Sequence, residues 1–263
     1  MNQSSKTLQI ANILAFIFMI AINTLAVTLP LGGRETGAIS DMYPNLFVPA
    51  GYAFSIWSLI YTTLLIFIII QAKGLFSKSQ SAPEYVTTIG WWFAISCLAN
   101  GGWMISWHYL QLGLSVLLMI LLLFSLITVY NRLKIGLSQP TAPFFSRLPF
   151  SIYFGWITVA LIANITAFLV SIGWNGFGIS EIAWMIVMLF IATGITTFLF
   201  WQRKDIAYIG VIIWAFVAIL SKRTALGTPD EAIILTILYI CLGTIGIIIL
   251  GRFLLFNRLL KAT

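Results

Sequence analysis

Residues 47–61 read FVPAGYAFSIWSLIY, and they open a long apolar run. A helix needs about 20 apolar residues to cross a bilayer, because each residue adds ~1.5 Å toward a hydrocarbon layer of ~30 Å. Pro49 and Gly51 suit the first turn of such a helix, where the N–H groups have no partner within the helix. Trp57 would lie about 9 Å further along, which is too deep for the aromatic belt at the membrane surface. The stretch therefore predicts a membrane helix whose tryptophan faces something other than the headgroups.

The whole chain has the composition of an integral membrane protein. Of its 263 residues, 60% are hydrophobic and 8% are charged, so polar surface is too scarce to cover a water-soluble globule of this size. We predict an all-α, polytopic bundle of eight transmembrane helices. They lie at about 8–29, 46–71, 88–110, 113–131, 148–172, 181–201, 206–221 and 232–251. The seventh has only about 16 apolar residues, and a seven-helix alternative omits it.

The charged residues mark the ends of these helices. Every Asp, Glu, Lys and Arg falls in a connection, at the edge of a predicted span or in a tail. In the eight-helix arrangement, eleven of the fourteen basic residues fall on one side, and such an excess is typical of the cytoplasmic side. We therefore expect both termini in the cytoplasm. The net charge of +7 follows from this distribution, and it does not indicate binding of nucleic acid.

Several membrane chemistries lack the residues that they require. No predicted span holds a Lys for a retinal Schiff base, or a carboxylate that could couple transport to protons or sodium. Haem held by two histidines is excluded, because His108 is the only histidine. His108 lies at a span edge, where we expect it at the headgroup level. Cys97 and Cys241 have neither metal nor redox spacing, so we predict no metal site.

Aromatic and neutral polar residues recur at helical spacing on three spans. Spacings of three and four residues place side chains on one face of a helix. The stripes are Phe54, Trp57 and Tyr61 on the second span, Asn100, Trp103, Trp107 and Gln111 on the third, and Tyr153, Trp156, Ala160 and Asn164 on the fifth. Ordinary helix packing produces such stripes. They are also compatible with an uncharged, aromatic-walled cavity for a flat, mostly apolar ligand.

These motifs resemble the tryptophan-rich sensory protein family, which includes the mitochondrial translocator protein once called the peripheral benzodiazepine receptor. PAGYAFSIWSLIY at 49–61 is similar to the second helix of that family, LANGGWMISW at 98–107 to its third, and LPFSIYFGWITVALIAN at 148–164 to its fifth. The family has a five-helix membrane bundle, and the resemblance covers about residues 8–172. We therefore divide the chain into a five-helix core at 1–175 and three additional helices at 176–263, as in a long-form member.

The resemblance implies a pocket for porphyrin-type and drug-like ligands, with Trp57 and Trp156 in its wall and Ala160 at a helix contact that affects binding. The predicted ligand-binding residues are Trp57, Asn100, Trp103, Trp107, Tyr153, Trp156, Ala160 and Asn164. The glycine-rich loop at 31–45 leads into the second helix and is expected to act as a lid. The residues assigned to the lid are Arg34, Pro49 and Gly51.

We expect a multi-pass protein of a bacterial cytoplasmic membrane that binds or senses a flat lipophilic ligand, either tetrapyrrole-like or sterol-like. Its partners are then the lipid bilayer and that small molecule, with no nucleic acid. No cofactor is required, although the resemblance allows a bound tetrapyrrole. Two alternatives stay open, namely a transporter of such ligands and an enzyme that degrades porphyrin in light. Glycine and alanine on several helices permit a homodimer. Trp214, outside the three motifs, is expected to have no effect on the pocket.

Overall fold

The computed structural model describes residues 3–29, 31–75, 81–227 and 231–261, and within these ranges the chain is helical without any strand. Ten α-helices follow one another: α1 (Gln3–Thr28), α2 (Thr36–Asp41), α3 (Ile56–Gln71), α4 (Glu84–Ile89), α5 (Trp92–His108), α6 (Leu112–Arg132), α7 (Phe144–Ser171), α8 (Glu181–Arg203), α9 (Ile206–Leu226) and α10 (Glu231–Lys261). Short 3₁₀ helices lie at Leu31–Gly33, Gly51–Ser55 and Gly176–Gly178. Two charged residues of the predicted map, Lys78 and Asp230, lie outside the described residues.

Within the described part of the chain, seven helices are long and apolar enough to cross a membrane. They include α9, whose 21 residues correspond to the seventh predicted span. This helix is longer than its apolar run because it continues through Lys222 and Arg223 to Gly227, which ends it with a φ of +63°. The helix of the predicted spans that falls outside this set is α5, with 17 residues, whereas α3 reaches 21 residues together with the 3₁₀ helix before it.

The predicted span at 88–110 is broken near its start. Helix α4 ends at Ile89, and Gly90 has a φ of +64° before α5 begins. The side chain of Arg132 stabilises this break, because its Nη1 donates to Ile89 O at 3.1 Å and to Thr88 O at 3.3 Å. These carbonyl groups lie at the C-terminal end of α4, where the helix itself provides no donor. The third span therefore starts later than the sequence predicted.

Side-chain contacts between helix termini mark the two ends of the bundle. At one end, side chains join the termini of helices that the charge map places on its basic side. These hydrogen bonds link Gln9 to Lys73, Asn131 to Arg203 and Trp201 to Arg252.

At the opposite end, the loop at 31–45 meets the C-terminal turn of α9. Lys222 Nζ lies 2.8 Å from Asp41 Oδ1, and Arg223 Nη2 donates to Asn45 O at 3.4 Å. The structure therefore groups Lys222 and Arg223 with the loop that holds Arg34, and these three are the basic residues that the charge map places on the side opposite the other eleven.

Helix α9 packs directly against α7 at Gly155. A Cβ on Gly155 would lie 3.0 Å from Tyr208 O and 3.0 Å from Val211 Cβ, so a larger residue would push the two helices apart. Tyr208 OH also donates to Thr158 Oγ1 on α7 at 3.3 Å. Helices α8 and α10 pack in turn against α9. The last three helices thus join the first five at the helix that carries Trp156.

Candidate functional site

Trp57 lies at the centre of an aromatic cluster built from three helices. Its ring stacks on Tyr61 of α3 and on Trp103 of α5, with centroids 5.4 Å and 5.7 Å apart. Tyr153 and Trp156 of α7 meet the same ring in T-shaped geometry at 5.9 Å and 6.2 Å. Aromatic pairs prefer these offset and edge arrangements. The stripes that the sequence placed on three separate helices therefore meet at one indole.

A cavity lies against this cluster, and we call it the inner cavity. The predicted residues that line it are Pro49, Trp57, Trp103, Trp107, Trp156, Ala160 and Asn164. The remaining wall residues were not among the predicted binding residues, although Phe54 stood on the aromatic stripe of the second span and Thr36 and Ser40 belong to the predicted lid loop. They are Thr36, Ser40, Phe47, Phe54, Met119, Val159 and Ala163. Its volume is about 40 Å³, whereas pockets for drug-sized ligands measure ~300–1,000 Å³. In this structure the wall side chains pack against each other and leave little free volume between them.

Asn100 and Tyr153, two further predicted binding residues, lie outside the cavity wall in a buried hydrogen-bond chain. Asn100 Nδ2 donates to Tyr153 OH at 2.7 Å, and Asn23 Nδ2 donates to Asn100 Oδ1 at 2.8 Å. Tyr61 OH completes the chain by donating to Asn23 Oδ1 at 2.6 Å. The sequence prediction missed Asn23, although an Asn inside an apolar span is itself a signal of a polar partner on another helix.

Asn164 holds Trp103 in place. Its Oδ1 accepts from Trp103 Nε1 at 3.0 Å, and its Nδ2 donates to Ser115 Oγ on α6 at 2.9 Å. Trp107 Nε1 donates to Thr36 O at 3.2 Å. Two of the four wall tryptophans thus have protein acceptors for their indole N–H groups, and these rings are fixed in orientation.

The other two wall tryptophans, Trp57 and Trp156, differ in this respect. Both Nε1 atoms are buried, and neither has a hydrogen-bond partner among the described residues. A buried N–H without an acceptor costs about 1–3 kcal/mol, and buried polar groups are normally paired. An acceptor brought by a ligand would therefore be stabilised beside these two rings.

The loop at 31–45 folds over the inner cavity, and His108 holds it there. With its proton on Nδ1, the imidazole donates to Leu31 O at 2.9 Å and accepts from Thr36 Oγ1 at 3.0 Å. His108 is the last residue of α5, at a helix end as the sequence predicted, and it is fully buried. The loop covers the end of α5 and thereby removes His108 from the surface.

The three residues assigned to the lid have different positions. Pro49 lines the inner cavity. Gly51 begins the 3₁₀ helix Gly51–Ser55 and is exposed. Arg34 is also exposed, and its Nη1 donates to Gly32 O at 3.1 Å. The part of the loop that reaches the cavity is instead α2, through Thr36 and Ser40.

The 3₁₀ helix Gly51–Ser55, which precedes Trp57, is attached to α9. Trp214 Nε1 donates to Ala53 O at 3.2 Å, and the Trp214 ring meets Tyr52 edge-on with centroids 5.3 Å apart. Trp214 is therefore connected to the pocket through this segment. This contact arises because the fold brings α9 beside the start of α3, while Trp214 itself does not line the inner cavity.

Comparison with known proteins identifies the family. The sequence model of the family described as TSPO-like protein matches residues 9–252. Searches among curated proteins and among solved structures gave no match. The family match confirms the resemblance found in the three motifs. It also extends well beyond residue 172, where those motifs end, and covers the additional helices.

Proposed function

The chain belongs to the TSPO-like protein family, and on this premise we propose that it binds a flat lipophilic ligand between its membrane helices. The observation that carries the proposal is the pair of buried indole N–H groups of Trp57 and Trp156, which lack acceptors inside an aromatic wall. The two rings are at 84° to each other, so a flat ligand with a carbonyl or ring-nitrogen acceptor can stack on one ring and accept a hydrogen bond from the N–H of the other. Tetrapyrrole-like molecules, and sterol-like molecules with an oxygen acceptor, have this chemistry.

The charge of the wall narrows the ligand class. The described residues that line the inner cavity include no Lys or Arg, so a ligand carboxylate would have no ion-pair partner there and would lose its hydration. A neutral acceptor is therefore favoured for the part of the ligand that reaches Trp57 and Trp156. Any carboxylates on the ligand would remain toward the loops.

Binding requires the pocket to open. A volume of about 40 Å³ cannot hold a tetrapyrrole, since ligand pockets measure ~300–1,000 Å³. Thr36 and Ser40 lie on α2, which has six residues and belongs to the loop over the cavity. We infer that this loop withdraws to admit the ligand, because short loop-borne elements move at lower cost than packed helices.

The function is tested by binding of protoporphyrin to the protein in lipid vesicles. We expect binding in the dark, with no loss of porphyrin absorbance and no requirement for a proton or sodium gradient, because the predicted spans contain no coupling carboxylate. Gradient-dependent accumulation of porphyrin inside the vesicles would show that the protein is a transporter. A loss of porphyrin absorbance in light that depends on the protein would show that the protein is an enzyme.

We further propose eight membrane spans with both termini in the cytoplasm of a bacterial cell. The excess of basic residues on one side supports this topology. The position of α5 supports it as well. Arg132 of α6 contacts Ile89 just before the start of α5, and His108 at the end of α5 contacts the loop at 31–45. Reporter fusions after residue 263 and within 222–231 should report opposite sides of the membrane. Reports from the same side would contradict the topology.

A further inference from the structure

A second and larger cavity, which we call the outer cavity, lies where α7, the 3₁₀ helix Gly176–Gly178 and the start of α8 meet the segment at 44–47. Its volume is about 450 Å³, within the ~300–1,000 Å³ typical of small-molecule sites. Phe47 is buried and lines both cavities. The two cavities are therefore neighbours that share one aromatic side chain.

Two tryptophans form an aromatic corner in the wall of the outer cavity. The rings of Trp174 and Trp184 have centroids 5.3 Å apart and an angle of 53° between their planes. Trp184 Nε1 donates to Gly176 O at 2.9 Å, so its polar edge is already satisfied by the backbone. A Cβ on Gly176 would lie 3.1 Å from this Nε1 atom, and the glycine has a φ of +65°. The local backbone thus fixes the orientation of the Trp184 ring, which lines the cavity while its N–H group is bonded to Gly176.

The rest of the wall combines soft apolar groups with one negative charge. Met185 and Met188 of α8 contribute polarisable thioethers. Glu181, in the first turn of α8, is the charged residue of the wall, and the described lining residues include no Lys or Arg. The side chain of Glu181 is exposed, and its carboxylate makes no hydrogen bond or ion pair within the described residues. The outer cavity therefore has a negative rim, whereas the wall of the inner cavity is uncharged.

We propose that the outer cavity binds a lipophilic cation, such as a quaternary ammonium or phosphonium group with apolar substituents. Cations are attracted to the faces of tryptophan rings, and this attraction is greatest when the cation is poorly hydrated. The carboxylate of Glu181 complements the charge, while the methionines adapt to the shape of the substituents. A lipophilic anion of the same size meets the same apolar surface but is repelled by Glu181. The site is thus chemically distinct from the inner cavity and is formed in part by the additional helix α8.

The proposal is tested with tetraphenylphosphonium and tetraphenylborate, which have nearly the same size and shape but opposite charge. Binding to the purified full-length protein is measured by equilibrium dialysis at low salt. We expect the cation to bind at least about 10-fold more tightly than the anion, since a nearby unit charge favours one sign and disfavours the other. Equal affinities would overturn the proposal.

Glu181→Gln should lower the affinity for tetraphenylphosphonium about 5-fold and should reduce the preference for the cation. Trp184→Leu should lower it by a similar factor, because the aromatic face is lost. The matched control is Glu84→Gln, which removes an exposed carboxylate from the first turn of α4 and should change nothing. If Glu181 acts only through the dipole of α8, Glu181→Gln will leave the preference for the cation intact, and the site assignment fails.

Two experiments distinguish the outer cavity from the inner cavity as the binding site of the cation. They are the Trp156→Phe variant and competition with protoporphyrin. Trp156 does not line the outer cavity, so Trp156→Phe should leave the affinity for tetraphenylphosphonium unchanged. Saturating protoporphyrin should likewise leave unchanged the number of tetraphenylphosphonium ions bound per protein. Full displacement, or a loss of cation affinity that follows Trp156, would place the cation in the inner cavity and overturn the proposal.

Discussion

Replacing both Trp57 and Trp156 by phenylalanine is expected to lower the affinity for protoporphyrin by about 100-fold. Each replacement keeps an aromatic ring but removes the indole N–H and part of the stacking surface. A neutral hydrogen bond contributes about 0.5–1.5 kcal/mol and an aromatic contact a similar amount, so each single variant should lose about tenfold. The two rings lie 6.2 Å apart, and the double variant therefore also measures how strongly their contributions depend on each other.

The measurement is a binding titration followed by the porphyrin absorbance, with Trp91→Phe as the matched control. Trp91 carries the same substitution on an indole that is 55% exposed and lies outside the wall of the inner cavity, so its variant should bind as the wild type does. A polycyclic hydrocarbon without acceptors, such as perylene, separates the two contributions. For perylene, the double variant should lose only the part of the affinity that comes from stacking, because perylene cannot accept a hydrogen bond. If Trp91→Phe weakens binding as much as the pair does, Trp57 and Trp156 do not form the site.

The aromatic cluster could be predicted from the sequence because helical spacing fixes which side chains share a face. Trp57, Trp103 and Trp156 each stood on a stripe with other polar or aromatic residues, and the three stripes meet as expected for a common pocket. Spacing does not indicate how far the rings approach each other. The closed state of the inner cavity, with rings in direct contact, therefore appeared only in the structure.

The partners of single polar residues were harder to predict. In a membrane helix that is apolar all round, the sequence does not separate the face toward lipid from the face toward other helices. Asn23 gave no stripe of its own, yet it joins Tyr61 to Asn100. Trp214 likewise lay outside every motif, and its bond to Ala53 depends on how α9 packs against α7. Such contacts follow from tertiary packing and leave no local pattern.

Charged residues at span edges were the third difficulty. The sequence correctly places Arg223 and Glu231 near helix ends, where side chains normally reach water or headgroups. In the structure, the loop before α3 and the adjoining helices cover both side chains, which are only 5% and 7% exposed. Position at a span edge therefore did not predict exposure. The consequence is a buried ion pair whose disruption should be costly.

Arg223→Met is expected to destabilise the protein by about 3–5 kcal/mol, because it leaves the carboxylate of Glu231 buried without a partner. Arg223 Nη1 lies 3.3 Å from Glu231 Oε1, and its Nη2 also donates to Asn45 O at 3.4 Å. For a chain of this size, such a loss corresponds to a fall in Tm of about 10 °C. Thermal unfolding of the purified protein in detergent measures the shift.

The neighbouring residue provides the control for this prediction. Lys222→Met removes the same charge from an ion pair with Asp41 whose side chains are 28% and 65% exposed. An exposed pair contributes about 0–1 kcal/mol, so Lys222→Met should shift Tm by no more than about 3 °C.

The double variant Arg223→Met, Glu231→Met should recover most of the lost stability, because apolar residues replace both buried charges. It cannot restore the hydrogen bond to Asn45, which lines the outer cavity, and a loss of tetraphenylphosphonium binding in this otherwise stable variant would show that Arg223 also positions the cavity wall. If Arg223→Met and Lys222→Met lower Tm equally, burial of the pair does not determine its contribution, and the prediction is wrong.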